Sequence, residues 1–285
     1  MSTTEIPEQN WVYTPTTRTL VEILLSLTFW TVLYNILLYV PLPKYKAVKS
    51  KDGKPVEISR KEVLDMQNRM VSFIHGVASC TLSFLDITFV GLPYGSSNTS
   101  FQNFALTLSL GYFLYDTLAM AYYNLLDAPM SFHHSIVCFG LYLSLCFQAS
   151  GAEILGGMFI SEVSNPVMHF RLIIRSLGLR HTKAYEASEL AYILLYIYYR
   201  LFKGIFVVYN TVATPVGHPV VKAIAVGVAI QSYFYVTRMV GILKNRFKEM
   251  NEREKEGVNL FWLSHNPKVE KLTYYIKSAK KEGIP

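Results

Sequence analysis

Two adjacent histidines, His133 and His134, open a long apolar run. Imidazole titrates near neutrality, so it can serve as a general base or as a nucleophile. An acid such as Asp116 could orient one ring and stabilise its cation. Metal binding fits poorly. Neighbouring histidines on a helix point about 100° apart. Two ligands on one face need the i, i+4 spacing, and no cysteine pair accompanies these histidines. His133 shares a face with Gly140 and Ser144, and His134 with Cys138 and Leu141. Other polar residues interrupt apolar runs. His75, Ser79 and Asp86 share one helical face, and so do Glu162, Asn165 and His169, with Arg171 on another and Arg200 further on. A charged side chain at the bilayer centre costs about 2.5–3.5 kcal/mol, so such groups face a protein interior or an aqueous cavity. For Arg171 and His133 the plain alternative is snorkelling to the headgroups.

The elements that position these residues follow from composition. Of 285 residues, 51% are hydrophobic and only 16% charged, against about 25% charged in a soluble domain. So much apolar surface excludes a disordered chain. Cys80, Cys138 and Cys146 all lie inside apolar runs, which excludes a disulfide scaffold. A bilayer core of about 30 Å takes about 20 residues of helix. Seven stretches answer to this: residues 20–40, 71–92, 102–123, 133–150, 152–177, 191–212 and 219–243. Pro166 is expected to bend the fifth. The expected class is all-α: a polytopic membrane protein of about seven transmembrane helices. The first stretch is too long, and too poor in small residues at its end, for a cleaved signal peptide.

The net charge of +7 is unevenly placed. Lys44, Lys46, Lys49, Lys51, Lys54, Arg60, Lys61 and Arg69 crowd residues 41–70. Arg180 and Lys183 follow the fifth stretch, and the tail from residue 246 is basic again. With seven crossings these regions share one side, which the charge rule makes cytosolic. No nucleic-acid partner is then needed to explain the charge. Residues 1–19, with Glu5 and Glu8, fall on the lumenal side, and so does Asn98, whose Asn98-Thr99-Ser100 sequence is a glycosylation sequon. Arg200 and Lys203 make the sixth stretch the weakest. An interfacial helix there would split the basic regions between the two sides, so the charge rule favours crossing. His75, His133, His134, His169 and Arg171 lie toward the cytosolic ends of their helices, with Asp116 and Glu162 deeper. Helices two to six are therefore expected to line one polar cavity open to the cytosol. The tail, with Phe261, Trp262, Tyr274 and Tyr275 among lysines, suits either an anionic leaflet or free solution. Lys280 and Lys281 stand farther from the end than a dilysine retrieval signal requires.

The run Asp116…Asp127-Ala128-Pro129-Met130-Ser131-Phe132-His133-His134, then Glu162-Val163-Ser164-Asn165-Pro166…Arg171, resembles the TLC (TRAM, LAG and CLN homology) domain over residues 60–245. The resemblance implies a helical barrel around a lipid-sized cavity, residence in the endoplasmic reticulum and a part in lipid homeostasis. The stretch from Glu162 to Pro166 is closer to the small TLC domain-containing proteins than to ceramide synthases, which carry more acids there. Carried over by position, His133 and His134 would be catalytic and Asp116 a supporting acid. His75, Glu162, Asn165, His169, Arg171 and Arg200 would line the cavity. Two functions follow: an acyl-CoA-dependent acyltransferase of sphingolipid or phospholipid, or a non-catalytic protein that binds, senses or transfers lipid. Membrane lipids are the partners implied, with acyl-CoA as co-substrate, no bound cofactor and no metal. Assembly into homo- or hetero-oligomers stays open.

Overall fold

The computed structural model describes residues 16–49 and 53–272. Expectations placed on Glu5, Glu8, Lys51, Tyr274, Tyr275, Lys280 and Lys281 lie outside those residues. The helices are α1 (Thr17–Leu37), α2 (Arg60–Leu85), α3 (Ser100–Tyr122), α4 (Ala128–Phe147), α5 (Gly151–Glu162), α6 (Asn165–Ser176), α7 (Lys183–Ile197), α8 (Gly204–Ala213) and α9 (Pro219–Lys255). A π-helical turn, Asp86–Val90, continues α2, and a second, Tyr198–Lys203, joins α7 to α8. A small antiparallel hairpin, β1 (Tyr45–Lys49) with β2 (Pro55–Glu57), precedes α2.

Helix starts follow from capping side chains. Ser59 with Glu62 and Thr99 with Gln102 form capping boxes, and Asp127 and Thr182 each accept a backbone N–H of the first turn. The Ser59 cap starts α2 at Arg60, well before the expected residue 71.

Among the described residues six helical segments are long and apolar enough to cross a membrane: Thr17–Leu37, Arg60–Val90, Ser100–Tyr122, Ala128–Phe147, Lys183–Ala213 and Pro219–Lys255. The fifth expected stretch is instead two helices, α5 and α6, of 12 residues each. Pro166 has no N–H for the Glu162 carbonyl four residues back, and α5 ends at Glu162. The pair still makes one crossing. At one end the Ser150 N–H bonds the Ser96 carbonyl, and at the other the Ala47 N–H bonds the Leu177 carbonyl. Those partners flank opposite ends of α2.

The same reasoning places every connection. Leu38 accepts from Gln67, Lys61 reaches the Asn124 carbonyl, and the Lys183 N–H bonds the Phe261 carbonyl. This end, with most of the loop lysines and arginines, is the basic face. At the opposite face the Asn98 N–H bonds the Gln148 carbonyl, the Phe147 and His218 rings stack 4.3 Å apart, and Gly95 lies against Val216. The sixth stretch therefore runs the full length of the bundle: Lys183 is at the basic face and Thr214 at the other.

The outer surface is apolar. Leu24, Leu25, Phe29, Phe89, Ile205 and Phe206 are exposed, as expected where lipid is the solvent. Inside, Trp30, Val71, Leu106, Leu110, Leu141 and Leu155 form one core. α1 and α3 cross closely at Gly111, where an added Cβ would lie 2.7 Å from the Leu27 nitrogen. Part of the tail is folded rather than free. Leu260, Val269 and Leu272 make their own small core, and Phe261 and Trp262 accept backbone bonds from Lys183 and Ala184.

Candidate functional site: an apolar cavity with a polar foot

A cavity of about 620 Å³ lies between α4, α5, α8 and α9, with Phe113 of α3 at one end, a size that takes a small ligand. Its walls are aliphatic: Ile136, Val137, Ile154, Val208, Ile224 and Val228 among others. Most of its polar groups, His133, Ser161, Glu162, Arg200 and Ser232, gather at the end nearer the basic face, while Val212, Val221 and Glu153, whose Oε1 accepts the Gly95 N–H, mark the far end. Ile205, Tyr209, Val212 and Tyr233 belong both to the lining and to the exposed surface, so the opening is lateral. The expected fourth, fifth and sixth stretches do line it, but the second does not, the seventh joins them, and the opening is lateral rather than cytosolic. Helices α2 and α6 pack tightly through Gly76, where an added Cβ would stand 3.2 Å from the Pro166 ring. The space is left on the side of α8 and α9 instead.

The foot is built by three helices and a π-turn. His133 stands in the second turn of α4, near Gln231 of α9. Arg200 comes from the π-turn, a local widening of the helix common at functional sites. Its Nη2 donates to the Ser161 carbonyl at 2.8 Å and its Nη1 to the Ser232 hydroxyl at 3.2 Å. Its carbon Cζ lies 5.2 Å over the Tyr196 ring. Glu162, the last residue of α5, is hydrogen-bonded by Asn165 and faces His75 Nδ1 at 4.0 Å.

His134 and Asp116 lie behind the wall, outside the lining, with His134 Nε2 3.5 Å from Asp116 Oδ2. Asp116 Oδ1 accepts from Asn68 Nδ2 at 2.7 Å, and Asn68 Oδ1 accepts from the Tyr115 hydroxyl. Thr117 donates its hydroxyl proton to the Phe113 carbonyl. Its 2.9 Å contact with His134 Nδ1 therefore requires the proton on Nδ1. That leaves Nε2 facing the carboxyl group of Asp116.

The other expected residues divide. His75 is buried, stacked 3.6 Å from Tyr112, and makes no hydrogen bond among the described residues. With His169 and Asn165 it forms a polar layer between α2 and α6 that does not reach the cavity lining. Arg171 is not a cavity residue. It donates to Glu189 of α7 at 2.8 Å. Asn98 is committed as well: its Nδ2 donates to Asn103, to the Ser144 carbonyl and to the Ser144 hydroxyl, and its Oδ1 accepts the Gly151 N–H. The sequon is thus a structural tie, and a glycan on Nδ2 would remove it.

Several participants were not anticipated: Ser161, Gln231 and Ser232 at the foot, Asn68 and Thr117 behind it, and Glu189 and Arg246 at the basic face. Asn68 had a signal, because it precedes His75 by two turns on one face of α2.

Fold and site together define a polytopic helical membrane protein with an aliphatic cavity ending on polar and charged side chains. The chain belongs to the TLC domain family, whose pattern it matches over residues 65–244. It is similar to TLC domain-containing protein 2 of Danio rerio, 24% identical over 166 residues, which is 55% of this chain. The match spans 66% of that relative's length, just under two thirds. Family membership links the chain to lipid metabolism and homeostasis.

Proposed function

We propose that the protein is an acyl-CoA-dependent lipid acyltransferase of the endoplasmic reticulum membrane, with its basic face and C-terminus cytosolic. The observation that carries this reading is the His133 imidazole on the wall at the foot of an aliphatic cavity, beside Arg200 and Glu162. The acyl chain occupies the cavity, and the thioester lies at the foot, on the side from which soluble CoA arrives. His133 takes the proton from the acceptor's hydroxyl or amine, whose oxygen or nitrogen attacks the thioester carbonyl. The C–S bond breaks, and the CoA thiolate recovers that proton. His134, one residue further along α4, pairs with Asp116 of α3, holds the local structure and tunes the field at His133. The basic face suits both the CoA phosphates and the cytosolic orientation.

A second reading is a non-catalytic lipid-binding or transfer protein. It is favoured by one observation: His134 and Asp116 do not reach the cavity. Incubation of the purified protein with labelled acyl-CoA and membrane lipid separates the two. The acyltransferase reading expects a labelled lipid that His133→Ala fails to make. No product from the unaltered protein, with lipid still bound, overturns it in favour of binding alone.

A further inference from the structure

Arg200 differs from the arginines that are ion-paired at the basic face. Arg171 and Arg246 pair with Glu189, and Arg253 pairs with Glu186. Arg200 instead reaches a carbonyl and a hydroxyl, and its Nε has no partner among the described residues. Ser232 gives its own proton to the Val228 carbonyl, so toward Arg200 it acts only as an acceptor. Glu162 at the same foot attracts Arg200 only from beyond ion-pair distance and faces His75 at 4.0 Å. Beyond the guanidinium the wall is Ile160, Gly204, Val208, Ala225 and Val228, which offer no counter-charge. A guanidinium that gives one proton of each Nη to a neutral acceptor keeps the second for a ligand, and beside an aliphatic shaft it matches an oxyanion on a hydrocarbon chain.

We propose that Arg200 docks the oxyanion head of a single-chain amphiphile, a carboxylate or a phosphate monoester, whose chain fills the shaft toward the opposite face. The proposal rests on the reading of the cavity as a lipid site and does not require transfer at His133. It makes the cavity selective for a charged amphiphile over a neutral ester of equal chain length.

The test uses the full chain in phosphatidylcholine nanodiscs, with bound ligand counted by native mass spectrometry. Oleic acid, oleoyl lysophosphatidate and methyl oleate compete pairwise. A charge-assisted hydrogen bond predicts a preference for the anion over methyl oleate of about ten- to hundredfold. Arg200→Gln brings that ratio to about one, and Arg200→Lys, which keeps the charge but not the fork, gives an intermediate ratio. Oleic acid outcompeting lysophosphatidate identifies a carboxylate site, and the reverse a phosphate site. Gly157→Phe fills the shaft from a position where an added Cβ meets nothing within 4 Å, and it abolishes binding of all three without touching Arg200. Equal binding of acid and methyl ester by the unaltered protein overturns the proposal. So does a preference that survives Arg200→Gln, or undiminished binding in a folded Gly157→Phe variant. Should Arg200→Gln fail to fold, the Lys and Phe variants decide. His133→Ala separates the readings: it keeps the anion preference and loses transfer, so either can fail without the other.

Discussion

Glu189 joins three helices at the basic face, and its neutralisation is the sharpest stability test. One oxygen accepts from Arg171 at 2.8 Å and from the Tyr185 hydroxyl at 2.9 Å, and the other accepts from Arg246 at 2.5 Å. Glu189→Gln keeps the volume and removes the charge. Arg246 retains Glu249 at 2.6 Å. Arg171 retains only the Tyr185 and Tyr192 rings, at 5.9 and 5.2 Å, and its Nε is already without a partner. One buried arginine is thus left uncompensated, which places the cost near the low end of the range for breaking a buried pair, about 3 kcal/mol. At roughly 2–4 °C per kcal/mol the midpoint falls by about 6–12 °C. The assay is thermal unfolding of purified protein in detergent, followed by tryptophan fluorescence. Glu249→Gln should cost less, about 1 kcal/mol, because Arg246 keeps Glu189. A Glu189→Gln midpoint within about 2 °C of the unaltered protein, or a larger loss from Glu249→Gln, would refute the reasoning.

Endoglycosidase treatment of protein made in eukaryotic cells should leave its mobility unchanged. Asn98→Ala should lower stability by about 1–3 kcal/mol, because the Gly151 N–H loses its acceptor; a glycan shift in folded protein argues against the tie. Gly76→Val should destabilise the pairing of α2 with α6 by forcing the Pro166 ring away, whereas Gly157→Ala should leave the unfolding midpoint unchanged. His181, in the loop before α7, has its pKa pushed down to about 2, first by burial and then by Arg180. Its unfolded value is about 6.5, so the unfolded state takes up the proton first. The stability it confers is complete above about pH 7 and falls as the pH drops below about 6.5. His181→Asn should flatten that acid slope between pH 7.5 and 5.5, and an unchanged slope contradicts the assignment.

The crossings were legible because lipid imposes one rule on every helix: about 20 apolar residues with their backbone satisfied internally. In the fifth, Pro166 marked the place of the disturbance, but apolar length alone did not show that it divides the stretch into two helices. The side chains at the cavity foot were legible as polar interruptions, and His133, Glu162 and Arg200 do meet there. Arg171 gave the same signal and goes elsewhere, because its partner Glu189 lies on another helix and nothing local marks which helices will face each other. The opening was misjudged for a related reason. Depth along a helix can be read from the sequence, whereas the pair of helices left apart depends on close contacts such as Gly76 with Pro166.

The central claim is that the space between α4, α5, α8 and α9 holds a lipid chain. Photolabelling in native membranes with a fatty acyl chain bearing a diazirine, followed by peptide mapping, tests it directly. The account predicts adducts on wall residues such as Ile136, Val137, Val208, Ile224 and Val228, competed away by unlabelled fatty acid and lost in Gly157→Phe. Adducts confined to outward residues such as Leu24, Phe29 and Phe89, unaffected by competitor, would contradict it.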